Sequence, residues 1–187
     1  MPSLSQSYRP AQRYLHWIIF VLVLAAYVLI NVHHWTPRGV FWHGFSEHLH
    51  MVVGTLVLLL VLPRLWLRGK YGAPPIEPPM ARLARWSARV THWALYAFLL
   101  LQPLLGLAYR QLEGKSVSLL GVTLIPSFVS HPDKALAKEL FFQYHALLGT
   151  VFYWIIGLHI AAALWHHFAR RDNTLKRMWG ARRADGE

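Results

Sequence analysis

Four histidines interrupt the stretch YHALLGTVFYWIIGLHIAAALWHH, residues 144–167: His145, His159, His166 and His167. The segment carries no Asp, Glu, Lys or Arg and is otherwise dense in aliphatic and aromatic side chains. Imidazole in such surroundings has two chemical uses, metal ligation through a neutral ring nitrogen and proton transfer near neutral pH. One histidine near a helix end is readily explained by a bond to a backbone carbonyl. Several at matched depths are not, because each polar side chain within hydrocarbon costs free energy and marks a functional position. His16, His50 and His92 stand near the starts of three other apolar stretches, so the pattern involves the whole chain. There is no cysteine, which excludes disulfides, iron–sulfur ligation and thioether attachment of a macrocycle. Redox or metal chemistry therefore falls to the twelve histidines.

The elements that must hold these side chains are legible in hydropathy. Residues 14–32, 49–67, 88–109 and 139–168 form four apolar blocks, and a bilayer core needs about 20 helical residues. The first block lacks a small-residue cleavage site and is as long as a full span, unlike a signal peptide. The expected fold is all-α, a single integral-membrane four-helix bundle over residues 1–187. The net charge of +11 is unevenly placed. Arg9 and Arg13, then Arg64, Arg68, Lys70, Arg82, Arg85 and Arg89, then Arg170, Arg171, Lys176, Arg177, Arg182 and Arg183 all fall on one side of that topology. The other side has Arg38, Arg110, Lys115, Lys134 and Lys138, offset by Glu47, Glu113, Asp133 and Glu139. Such asymmetry is the positive-inside pattern, with both termini cytoplasmic and the charge facing lipid rather than nucleic acid. The proline-punctuated GAPPIEPP, residues 72–79, breaks the inner connection. The longest outer loop, 110–138, has an apolar part, residues 117–128, expected to lie as a cap over the bundle.

Topology then assigns depth. His16 and His92 start outward-going helices and lie toward the cytoplasm; His50 and His145 start inward-going helices and lie toward the outside. His159 follows His145 by 14 residues, which returns to within about 40° of the same helix face, about 21 Å deeper. The fourth helix thus presents one imidazole per leaflet on one stripe. The second helix supplies a partner at the outer depth and the first at the inner depth. Zinc sites recruit about four ligands, often acidic or thiolate, and the one acidic residue in these spans is Glu139, at the very start of the fourth. Haem needs two axial imidazoles and a flat apolar slot, which Gly54 and Gly149, each four residues after a histidine, would thin. Haem iron with both axial positions filled is suited to electron transfer. A faint internal repeat, His16-Trp17 with His92-Trp93 and HMVVGT with HALLGT, would pair His16 with His92 instead of His159. His166, seven residues after His159, lies on nearly the same face, where it and His92 are candidates to serve a second, proton-requiring ligand. His33, His34, His43, His48 and His131 read as loop residues without a ligand role.

The R-x-L-H-W element at residues 13–17, LHMVVG at 49–54, the H-x13-H pair, and GLHIAAALWHHFARRDNTLKRM at 157–178 resemble the bacterial di-haem cytochrome b561 family over residues 8–178. The likeness is nearest to its small four-helix members, superoxide oxidases that pass electrons from periplasmic superoxide to ubiquinone. The resemblance implies two haem b groups in a bacterial inner-membrane protein, with His50 and His145 ligating the outer iron and His16 and His159 the inner one. It implies superoxide and ubiquinone as substrates, with the quinone near His166 and His92. Arg110, Lys115, Lys134 and Lys138 would then steer the superoxide anion. A cytochrome b subunit serving a periplasmic dehydrogenase or hydrogenase would share the ligands and differ in its donor.

Overall fold

The computed structural model describes residues 7–180; Arg182 and Arg183 lie outside the described residues. Four long helices account for most of the chain: α1 (Pro10–Trp35), α2 (Phe41–Tyr71), α3 (Arg82–Leu112) and α5 (Gln143–Phe168). Short elements complete it: a hairpin of β1 (Val117–Leu119) and β2 (Val122–Ile125), α4 (Lys134–Leu136), a π-helical segment (Ala137–Phe142) leading into α5, and α6 (Lys176–Trp179). All four long helical stretches, the last counted from Lys134, are long and apolar enough to cross a membrane.

Local chemistry explains most boundaries. Pro10 opens α1 at a position where a missing N–H costs nothing, and Gln12 Oε1 accepts from the Arg9 N–H. Gly72 ends α2 with φ +65°, a conformation that favours glycine, and the prolines beyond it prevent resumption. The β1–β2 turn is Leu120-Gly121, both at positive φ, as a two-residue hairpin loop of right-handed twist requires. The expected cap is thus built partly as a hairpin, and β1 packs on α2.

Helix α2 begins at Phe41, well before the apolar block at residue 49. Hydropathy marks where a helix enters hydrocarbon, not where it starts. Its first turns protrude and are tied by their own polar side chains, with Ser46 Oγ donating to Trp42 O (2.6 Å) and the His48 ring bonding Gly44 O (2.7 Å). Consequently His33, His34, His43 and His48, expected in a loop, are helical.

The bundle's centre is a layer of Ile19, Val57, Val61, Leu99 and Phe152, one or two from each long helix. Outside it, Leu147, Trp154, Leu158 and Trp165 of α5 are exposed, as lipid-facing side chains must be. The two ends of the described chain meet on one face, where the Tyr8 N–H donates to Arg177 O (3.2 Å). There the N-terminus, the 72–79 connection and the segment after α5 lock together. Gln12 Nε2 donates to Leu67 O and Gly72 O, Asn173 and Glu77 exchange backbone and side-chain bonds, and Arg177 donates to Pro74 O.

Candidate functional site

The helices bring the predicted histidines into two groups. At the end opposite the termini, His50 of α2 and His145 of α5 face each other with ring centroids 6.2 Å apart and planes at 90°. Each Nδ1 is committed: that of His50 donates to Ala26 O (2.8 Å) and that of His145 to Gln102 O (2.9 Å). A carbonyl can only accept, so Nδ1 carries the proton and Nε2 keeps its lone pair for a ligand role. Gln102 Nε2 returns a bond to His145 O (2.8 Å), which fixes the backbone as well as the ring. Two imidazoles that bind one metal ion from opposite sides place their ring centres roughly 6 Å apart, given metal–nitrogen distances of about 2 Å. The pair has that spacing.

Near the termini, His16 of α1 lies 6.4 Å from His159 of α5 with planes at 80°. His92 of α3 joins them, its ring 5.5 Å from that of His159. His16 Nδ1 is buried and has no partner, an unsatisfied polar atom that calls for explanation. Trp17 sets its edge 5.2 Å from His16 and donates Nε1–H to Met178 O, while Trp179 closes on Trp17. The folded-back end of the chain therefore seals this cluster. Arg64, counted from sequence among the inner-side charges, lies in α2 over the Tyr96 ring of α3 and acts electrostatically on His16, His92 and His159.

The glycines test whether a flat group fits. A Cβ at Gly54 or Gly157 would meet nothing within 4 Å; Gly54 leaves open space beside His50 and His145, whereas Gly157 is exposed on the outside of α5. Gly149 does not: the Gln102 amide lies 3.1 Å from where its Cβ would be. The close approach to His145 comes from Gly106 instead, whose Cβ would stand 3.1 Å from His145 Cε1. His50, Gly54, Pro103, Gly106 and His145 line one cleft of about 20 Å³. That encloses room for an ion between the imidazoles, with the free space at Gly54 alongside. The donor sets, two imidazoles in one cluster and three in the other with no acidic group among them, suit ligation of haem iron and fall short of a four-ligand metal site.

His166 sits apart from the ligand clusters. Its Nδ1 lies 2.5 Å from Asp172 Oδ2, and the Asp172 side chain is fully buried. Asp172 also accepts from the Thr174 N–H (2.9 Å), with Arg170 Nε 3.8 Å away. Burial alone would raise the Asp172 carboxyl, but hydrogen bonds from His166 and Thr174 outweigh it and hold the group below the usual carboxylate range. Sequence reading passed over Asp172; the signal was a lone acid in the basic run RRDNTLKR. Its neighbour His167, with a buried unpartnered Nδ1, lines a cleft of about 470 Å³ with Leu175, Lys176, Trp179 and Gly180.

The cations expected to steer an anion at the other end are partly neutralised. Arg110 is buried and paired with Glu47 at 2.9 Å, and its Nε donates to Ser116 O. Lys115 is paired with Glu113 at 3.0 Å. Among the described residues only Lys134 and Lys138 of the four are without an ion pair. His33 and His43 stack at 4.1 Å, and each ring bonds a backbone carbonyl. His131 is exposed in its loop.

The family model for prokaryotic cytochrome b561 matches residues 7–181. "Cytochrome b561 homolog 1" of Escherichia coli (strain K12) is 34% identical over 173 residues, 92% of this chain and 96% of that protein. "Probable superoxide oxidase CybB" of Yersinia pestis is 31% identical over 169 residues, 90% of this chain and 93% of that one. "Cytochrome b561 homolog 2" of Escherichia coli (strain K12) is 28% identical over 177 residues, 91% and 89% of the two chains.

Proposed function

The chain belongs to the prokaryotic cytochrome b561 family, and from that premise we propose that it is a di-haem superoxide:ubiquinone oxidoreductase of the bacterial inner membrane. Transmembrane electron transfer and haem b are the family's common ground. The number of haems, their ligands and the two substrates are our reading. The observation that carries it is the pair of facing imidazole sets, His50–His145 at 6.2 Å and His16–His159 at 6.4 Å, at opposite ends of one bundle.

Haem, when bound, supplies a reversible one-electron carrier. What the protein contributes is placement and a dry path. His50 and His145 would hold one iron with their tautomers set by Ala26 and Gln102, and His16 and His159 the other. The 6.4 Å spacing of His16 and His159 supports this pair for the inner group, with His92, 5.5 Å from His159, as the alternative partner of His16. Arg64, beside the inner cluster, would pair with haem carboxylates. The positive-inside charge puts the inner cluster and the terminal cap at the cytoplasm, so His166 and the cleft at His167 would serve ubiquinone and its protons, with His92 nearby. The wild-type protein, purified oxidised, should develop a reduced b-haem band when superoxide is generated enzymatically. Added ubiquinone should drain that band and superoxide dismutase should abolish it.

A second reading draws support from Arg110 and Lys115. With both cations held in ion pairs, the outer face offers little field to guide a small anion. A cytochrome b subunit fed by a docked periplasmic dehydrogenase or hydrogenase would need none. Reduction by dithionite but not by superoxide would decide for it.

A further inference from the structure

We propose that Asp172 is a positioning residue for quinone reduction, orienting His166 so that its Nε2 hands protons to a bound quinone. This rests on the reading of the inner end as a quinone site.

Three observations converge. Asp172 is the only acidic residue among the described residues between Gln143 and Gly180, yet its side chain is fully buried at the end of a spanning helix. It is ionised at neutral pH, being held below the usual carboxylate range. Its Oδ2 lies 2.5 Å from His166 Nδ1. An ionised carboxylate only accepts, so the His166 proton is pinned on Nδ1 and Nε2 is the nitrogen left to exchange protons. Arg170 Nε lies 3.8 Å from Oδ2, and Arg177 of α6, with Arg68 beyond it, is a second cation in its field; Glu77 meets the neighbouring Asn173 through its own backbone. Thr174 adds only its amide bond, which holds the carboxylate in place.

The chemistry balances as follows. A quinone becomes a quinol by taking two electrons and two protons. The electrons come one at a time from two one-electron donors oxidised at the far end of the bundle. Each proton leaves Nε2 of a His166 imidazolium for a quinone oxygen. The neutral ring stays bonded through Nδ1–H to Asp172, and cytoplasmic water reprotonates Nε2 before the second transfer.

The test uses the full-length holoprotein with Asp172→Asn, whose side-chain oxygen can still accept from Thr174. Two readouts are taken: the rate at which ubiquinone-1 reoxidises chemically reduced protein across pH, and the 15N spectrum of histidine-labelled protein, assigned with His166→Gln. The proposal expects D172N to keep its haem, to lose about tenfold in reoxidation rate, and to shift the high-pH limb of the profile toward acid. It also expects a single Nδ1–H form of His166 in the wild type and mixed tautomers in D172N. Asp172→Glu should recover much of the rate. Unchanged rate and pH profile in D172N overturn the proposal. Should D172N not fold, H166Q decides: wild-type rate and pH profile in that variant overturn it equally. If ubiquinone-1 fails to reoxidise even the wild type, the quinone reading itself falls, and this proposal with it.

Discussion

Phe98 and Phe152 stack with ring centroids 4.6 Å apart and planes 15° from parallel, in the layer between the two histidine clusters. Phe152 stands seven residues from His145 and seven from His159, on the stripe that carries both. It is buried, in contact with the bundle's core cluster. Truncation to Ala would leave a cavity where all four helices meet, at a cost of about 3–5 kcal/mol. Thermal unfolding of F152A in detergent should show a clear loss of stability. Retention of the wild-type melting temperature would mean that this layer does not organise the bundle.

The outer and inner groups are separable in our assignment. His50→Ala or His145→Ala should halve the haem-to-protein ratio in a pyridine haemochrome assay while the remaining haem still reduces with dithionite. Loss of both haems, or of neither, counts against the pairing.

At the inner cluster the variants should divide unequally. His16→Ala and His159→Ala should each remove one haem, whereas His92→Ala should keep both. The reverse outcome, with His92 required and His159 dispensable, would favour the pairing suggested by the internal repeat.

Gly106 permits His145 to lie against α3, with ordinary contact exceeded by even one added carbon. Gly106→Val should displace the imidazole and lower outer haem occupancy several-fold. Gly149→Ala presses on the Gln102 amide, the end of a flexible side chain, and should change haem content little. Equal effects would show that the two glycines play one role.

The pH response of the cap follows from Asp172. Its folded carboxyl is held below the value of an exposed aspartate, so its contribution to stability is full above that ordinary value, about 4. It is lost as pH falls through the depressed one. Proteolysis after residue 170 should therefore accelerate on acidification below about pH 4, and D172N should be cut readily at neutral pH. Insensitivity of both would place the cap's stability elsewhere.

How far the sequence carried can be judged from particular residues. The four spans followed from hydropathy, because a helix in hydrocarbon must be apolar for about 20 residues whatever it packs against. That His50 should meet His145, and His16 should meet His159, followed from depth and from the 14-residue spacing on α5, both properties of a single helix axis. Whether His159 or His92 partners His16 was left open by the repeat, and the fold gathers all three rings into one cluster. The early start of α2 was hidden because polar residues near the membrane surface are compatible with helix or loop.

What only the tertiary structure decided is which faces turn toward one another. Glycine at Gly54, Gly106, Gly149 and Gly157 looks alike in sequence; two open onto free space and two are closed by neighbours, because helix rotation differs at each. The sequence offset Arg110 and Lys115 by acids on the same side without saying which acid meets which cation; the fold pairs Arg110 with Glu47 and Lys115 with Glu113. Asp172, passed over in the sequence, is buried against His166 once the chain turns after α5. Hydropathy and helical period are written along one chain segment at a time, whereas burial and charge pairing depend on segments far apart in sequence. The sequence determined a membrane bundle with histidines at two depths; the fold decided which histidines face one another, which are oriented, and by what.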